Sequence, residues 1–201
     1  MPKKGLTVWF TGLSAAGKTT IALAVEKILQ ERGIKVERLD GDTVRQSLTK
    51  DLGFSKEDRD KNISRVSFVA KLLTRNNVIV LASFISPYKE ERSKAKETIG
   101  SFIEVYVHAT VEECTKRDPK GLYKKAIAGE IPHFTGVSDP YEEPEHADLV
   151  CHTVTESEEE SVQKVIQFLE DNNYIEKAGE EVYSDEEREK VQKRLEDLGY
   201  L

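Results

Sequence analysis

The chain has 201 residues, 38% of them apolar and 33% charged, which suffices for one α/β domain with a sizeable core and a small appendage. Its formal net charge of −7 argues against general affinity for nucleic acid or anionic membrane, both of which attract basic surfaces. No apolar run approaches the length of a bilayer span. Cys114 and Cys151 stand far apart without a CxxC partner, so both read as reduced structural thiols of a cytoplasmic protein.

The first element, Leu6 to Thr11, is a β-branched and aromatic run that reads as a buried strand. Met1-Pro2-Lys3-Lys4 ahead of it has the look of a signal peptide, but cleavage there would remove the strand. Gly12-Leu13-Ser14-Ala15-Ala16-Gly17-Lys18-Thr19 follows, a GxxxxGK[ST] phosphate-binding loop, and then the helical pattern of Thr20 to Leu29. A strand turning into a helix through such a loop points backbone N–H groups and the positive helix end at a polyphosphate. Lys18 then reaches the β- and γ-phosphates, and the Thr19 hydroxyl ligates Mg²⁺. Ser14, Ala15, Ala16, Gly17 and Thr20 complete the expected nucleotide contacts around Gly12. Ala15 requires a negative φ, because a Cβ is disfavoured in the left-handed region.

Further strand-like runs at Lys35 to Leu39, Val78 to Ser83, Phe102 to His108 and Leu149 to His152 alternate with helical ones. That alternation predicts a parallel sheet with helices on both faces and ligands along its carboxyl edge. Asp40-Gly41-Asp42 falls on this edge, where carboxylates hold Mg²⁺ through water or take a proton from an attacking hydroxyl; Asp42 also suits a helix N-cap. The third strand ends in Leu81-Ala82-Ser83, without the carboxylate that many phosphate-loop enzymes carry there, which gives Asp40 and Asp42 more to do.

On a helical wheel of Asp58 to Leu73, Ile63, Val66, Ala70 and Leu73 share one face. Arg59 and Asn62 fall within that face and Arg65 flanks it. Polar side chains there need partners, either a structural carboxylate or a bound phosphate or sulfate. Between Arg117 and Glu143 the apolar period lapses, and a long segment of this kind inside a compact domain reads as a lid. Thr115-Lys116-Arg117-Asp118 has the form of a guanine-reading element, but the DxxG expected before it overlaps it, so a GTPase is set aside. Ser157 to Glu160 is a capping box opening a helix with Val162, Val165, Ile166 and Leu169 as its stripe. A polar linker and a second capping box, Ser184 to Glu187, predict an appended helix within residues 176–201.

The segments GLSAAGKTT, LDGDTVR, GFSKEDRDKNISR, SFISPY, RDPKGLYKKA and GEIPHFTGVSDPYEEP together resemble the adenosine-5′-phosphosulfate (APS) kinase, or adenylylsulfate kinase, family. The resemblance covers about residues 4–175 and implies a phosphate-loop kinase domain with a mobile lid at about 117–143. It implies transfer of the γ-phosphate of ATP, with Mg²⁺, to the 3′-hydroxyl of APS. On it, Lys18, Asp42 and Ser86 form the catalytic set, Thr19 and Asp40 serve the metal, and Arg117 adds to the nucleotide contacts. Asp42, Arg45, Phe54, Arg59, Asn62, Arg65, Ile85, Ser86, Lys120 and Phe134 contact the acceptor, with Phe54 and Phe134 sandwiching its adenine. Ser86 is the family's position labelled a phosphoserine, yet direct in-line transfer needs no such intermediate, so Ser86-Pro87 is read as shaping the acceptor pocket. Ile127 stands where the family has Arg, leaving Arg117, Lys120, Lys124 and Lys125 as lid cations. A homodimer is expected by the same resemblance, and an ATP sulfurylase is the further partner it leaves open. Two other readings stand beside it: a kinase for another small alcohol, and a non-catalytic nucleotide-binding subunit.

Overall fold

The computed structural model describes residues 4–177, so most of the expected tail, including the second capping box, lies outside the described residues. Five strands, β1 (Leu6–Thr11), β2 (Val36–Asp40), β3 (Ile79–Ser83), β4 (Phe102–His108) and β5 (Leu149–His152), form one sheet in the order β2-β3-β1-β4-β5. Every neighbouring pair is parallel. The helices are α1 (Lys18–Glu31), α2 (Gly41–Gln46), α3 (Lys56–Thr74), α4 (Lys89–Ile99), α5 (Val111–Arg117), α6 (Leu122–Ile127) and α7 (Glu158–Asp171).

Alternate side chains of the central strands feed two apolar cores, one on each face. Leu6, Val8 and Phe10 pack with Ile21, Val25 and Leu29 of α1 and with Val162, Val165, Ile166 and Leu169 of α7. Trp9, Val80 and Ala82 pack on the opposite side with Val66 and Ala70 of α3 and Ala95 and Ile99 of α4. β1 and β3 are buried along their whole length, as expected of strands covered on both faces. The capping box at Ser157 closes in both directions: Ser157 Oγ accepts from Glu160 N at 3.1 Å and Glu160 Oε2 from Ser157 N at 2.7 Å.

Cys114 and Cys151 are buried and unbridged. Burial pushes both thiols up, that of Cys151 to about 12, so neither forms the reactive thiolate at neutral pH.

The supposed lid is more than a cover. Its Tyr123 and Ala126 lie on α6 and, with Phe134, belong to the main core, Tyr123 being fully buried. The irregular spacing of these residues hides their burial from a periodicity argument.

Candidate active site

The loop between β1 and α1 lies at the carboxyl edge of the sheet, where Gly17 (φ 106°) serves as N-cap of α1 without any side-chain cap, and no acidic residue occupies the first turn. The N-terminal N–H groups of α1 therefore remain available to an anion. Gly12 (φ 147°) is obligatory for a second reason: a Cβ there would sit 2.3 Å from the Val107 carbonyl oxygen. Ala15 corrects the expectation of negative φ, since it stands at φ 60°. The loop geometry imposes the left-handed conformation and Ala accepts its cost, of order 1 kcal/mol.

Lys18 is buried and folds back on its own loop, its Nζ donating to the carbonyls of Gly12 (3.0 Å) and Leu13 (2.7 Å). Burial lowers its pKa to about 8, against the attraction of Asp40 and Asp42. Ala16 sits behind the loop, its N–H bonded to Leu13 O and its carbonyl to Thr153 Oγ1.

A cleft of about 1080 Å³ opens above this loop. Its lining includes Ser14, Ala15, Gly17, Lys18, Thr19, Thr20 and Arg117 together with Asp42, Arg45, Phe54, Arg59, Asn62, Ile85, Ser86, Lys120 and Phe134. Two sets of residues far apart in sequence thus face one space. Arg117 is fixed at the end of α5 by bonds to Thr153 Oγ1 (3.1 Å) and Thr153 O (2.6 Å).

Asp40, not Asp42, caps α2. Its Oδ1 accepts from Asp42 N at 3.0 Å while its Oδ2 accepts from Thr19 Oγ1 at 2.8 Å. The extended end of β2 aims the Asp40 side chain along the following turn, which leaves the Asp42 carboxylate exposed in the cleft and paired with Lys120. Thr19 and Asp40 together offer hard oxygen donors at the loop's end, a set that fits Mg²⁺.

Two guanidinium groups that line the cleft have no carboxylate ion pair among the described residues. Arg59 is buried, and it donates to Phe54 O (2.9 Å), Thr135 Oγ1 (2.8 Å) and His133 O. Arg45 lies over the Phe54 ring at 4.3 Å and donates to Leu52 O (3.2 Å) and Gly53 O (2.9 Å). Burial and the neighbouring Arg59 charge both lower the Arg45 pKa. Of the two explanations for an arginine on the inward face of α3, the structural ion pair is absent here. Asn62, also buried, accepts from Thr49 Oγ1 at 2.8 Å.

Arg65 does not join them. It is exposed and grips Asp51 with both nitrogens, at 2.6 and 2.8 Å, outside the cleft lining. Its flanking position on the wheel carries it to the solvent side.

Ser86 is buried at φ 40°, accepts from Trp9 Nε1 at 3.0 Å and donates to Thr11 Oγ1 at 3.0 Å. Arg92 was missed by the sequence reading. It is 4% exposed and donates to Glu104 Oε1, Ser86 O and Glu142 O, each at 2.7 Å, tying the segment after β3 to β4 and to the end of the 117–143 segment. The signal was present, because Arg92, Ala95 and Ile99 share the buried face of α4 much as Arg59 shares that of α3.

A parallel sheet bearing a phosphate-binding loop, with a second cationic pocket facing it, defines a phosphotransferase of the phosphate-loop kinase class. The model of the family described as adenylylsulphate kinase matches residues 4–152. An adenylyl-sulfate kinase of Halothermothrix orenii is 64% identical over 173 residues, spanning 86% of this chain and 94% of the relative. A probable adenylyl-sulfate kinase of Pseudomonas aeruginosa is 66% identical over 162 residues, 81% of this chain and 76% of that one. Among solved structures, the Mycobacterium tuberculosis APS kinase in complex with AMPPNP and APS superposes with a TM-score of 0.81 at 46% identity, covering 84% of this chain and 99% of the other. A hexameric APS kinase from Thiobacillus denitrificans gives a TM-score of 0.67 at 35% identity over 87% of this chain and 30% of that chain. The chain belongs to the adenylylsulphate kinase family.

Proposed function

We propose that this protein transfers the γ-phosphoryl group of ATP to the 3′-hydroxyl of adenosine 5′-phosphosulfate, yielding ADP and 3′-phosphoadenosine 5′-phosphosulfate. Within the molecule, the carrying observation is the pairing of an open phosphate loop with two arginines, Arg45 and Arg59, that form no ion pair among the described residues, in one cleft. The loop receives the donor. The arginines suit a second, separate anion, the phosphosulfate, through charge-assisted bonds.

In this reading the N–H groups at the start of α1 and the Lys18 ammonium bind the β- and γ-phosphates, for which Lys18 exchanges its bonds to the Gly12 and Leu13 carbonyls. Thr19 and Asp40 hold Mg²⁺, which when bound neutralises charge developing on the transferring group. Phe54 and Phe134 bracket the acceptor adenine, and Asn62 and Ile85 complete that wall. Asp42 exchanges Lys120 for the acceptor and takes the proton of its attacking hydroxyl. Lys120 then faces the phosphates. The Ser86 hydroxyl, already engaged by Trp9 and Thr11, shapes the pocket and stays out of covalent chemistry.

A homodimer is the assembly we assign. Light scattering after size exclusion separates two copies from the six of the Thiobacillus denitrificans relative. A cytoplasmic setting agrees with the unbridged Cys114 and Cys151. The deciding experiment is coupled ADP release with adenosine phosphosulfate against adenosine monophosphate. Preferential turnover of the phosphosulfate supports the assignment, and equal turnover refutes it.

A further inference from the structure

Ser83 ends β3 at the carboxyl edge of the sheet and lines the cleft. It is 4% exposed, yet its Oγ has no hydrogen-bond partner among the described residues. Buried hydroxyls are nearly always satisfied, and an orphan calls for a specific explanation. Nearby buried hydroxyls obey the rule: Thr11 at the end of β1 bonds Ile85 O, and Ser86, three residues beyond β3, bonds Trp9 and Thr11.

The register says what Ser83 faces. Ser83 pairs with Asp40 across β2 and with Phe10 across β1, and residues in register on adjacent strands share a face of the sheet. Phe10 packs into the α1-side core and Asp40 bonds Thr19 at the first turn of α1. The Ser83 hydroxyl is therefore on the phosphate-loop side, next to Asp40. Both Asp40 oxygens already accept bonds, from Asp42 N and Thr19 Oγ1. If Thr19 turns its hydroxyl oxygen to a cation, only one Asp40 oxygen is released.

Mg²⁺ dehydrates reluctantly and keeps several waters, each a strong donor in need of an acceptor. A serine oxygen has two lone pairs to offer. We propose that Ser83 is a positioning residue for the hydrated cation that enters with the triphosphate, its Oγ accepting a hydrogen bond from a cation-bound water beside Asp40. It performs from β3 the outer-sphere task for which this strand supplies no carboxylate. The inference rests on the reading of the cleft as an ATP site.

The test compares the affinity of a non-hydrolysable ATP analogue in excess Mg²⁺ with that in EDTA, for the wild type, Ser83→Ala and Ser83→Thr, alongside the melting temperature of each ligand-free protein. For Ser83→Ala, the tightening conferred by Mg²⁺ is expected to shrink about three- to tenfold, the worth of one hydrogen bond. The affinity in EDTA should stay unchanged, and the ligand-free protein should melt at the same temperature or higher, because no protein contact is lost. Ser83→Thr, which keeps the hydroxyl, should retain the Mg²⁺ effect. An unaltered Mg²⁺ effect in Ser83→Ala overturns the proposal. So does an Ala variant that melts lower or fails to fold, because the hydroxyl would then have a structural partner. A wild-type protein that binds the analogue in neither condition refutes the ATP-site reading instead.

Discussion

Trp9 on β1 donates its indole N–H to Ser86 Oγ at 3.0 Å, across a gap of 77 residues in sequence. Ser86 in turn donates to Thr11 Oγ1 at 3.0 Å, and Thr11 Oγ1 donates to Ile85 O at 2.8 Å. The chain of bonds uses the serine as a link in a buried network, and an attacking nucleophile needs a base that this network does not contain. Ser86→Ala should therefore keep measurable turnover while losing about 1–3 kcal/mol of stability, because the Trp9 N–H is left buried and unpaired. Thermal melting checks the second part. Radiolabel retained on the wild-type protein after incubation with γ-labelled ATP alone, and absent from the Ala variant, would contradict the first.

The buried state of Lys18 makes nucleotide binding sensitive to pH. Burial lowers its pKa from 10.5 to about 8 in the ligand-free protein, and a bound triphosphate restores the charged form. Affinity for ATP analogues should thus fall as pH rises through about 8, at most tenfold per pH unit, and binding near pH 9 should take up a proton. Calorimetry in buffers of differing ionisation enthalpy measures that uptake directly. The stability effect has the opposite sign. Between about 8 and 10.5 the unfolded chain holds more protons on this lysine than the folded one, so ligand-free stability contributed by Lys18 rises with pH across that window. Lys18→Met should abolish both effects along with most of kcat.

Phe54 and Phe134 have equal roles in the proposed sandwich but unequal positions in the fold. Phe54 is 56% exposed, while Phe134 is 9% exposed and meets Tyr123 edge-on at 5.0 Å between ring centres. Phe54→Ala should weaken the acceptor by about 1–3 kcal/mol, the value of a stacking face, with ATP affinity and melting temperature held. Phe134→Ala should also destabilise the protein, by about 3–5 kcal/mol, because a core ring is removed. Calorimetric titration of each substrate, with a melting curve for each variant, separates the two. An unchanged acceptor affinity in Phe54→Ala would exclude its ring from the site.

These contrasts mark what the sequence discloses. β1, β4 and β5 match their predicted bounds because each is a compact apolar run between polar turns. The start of α7 follows from a local exchange between Ser157 and Glu160. Arg59 and Asn62 stand out because a charge on an apolar stripe contradicts its surroundings. Other features depend on partners far along the chain. Nothing local to Tyr123 announces its contact with Ser14 O, 109 residues away, nor does Arg65 announce Asp51. Ala15 is a conflict of a different kind: its residue type argues against φ 60°, and the loop that must wrap a phosphate prevails.

The last expectation concerns Asp42 and Lys120, which both line the cleft and form an ion pair there although their side chains are 68% and 56% exposed. A pair so exposed contributes little to stability, about 0–1 kcal/mol, so its loss should scarcely move the melting temperature. Its chemical role is testable in two variants. If Asp42 takes the acceptor's proton, Asp42→Asn should lower kcat about 10²- to 10⁴-fold with acceptor KM little changed, the range general-base removal gives. Lys120→Ala should be milder and raise the acceptor KM, since Asp42 still reaches the hydroxyl without it. Should Asp42 act only as an anchor for Lys120, the two variants would lose activity equally and the double variant would lose no more. Steady-state kinetics of the three proteins decide between these, and equal losses would move the proton acceptor to another group.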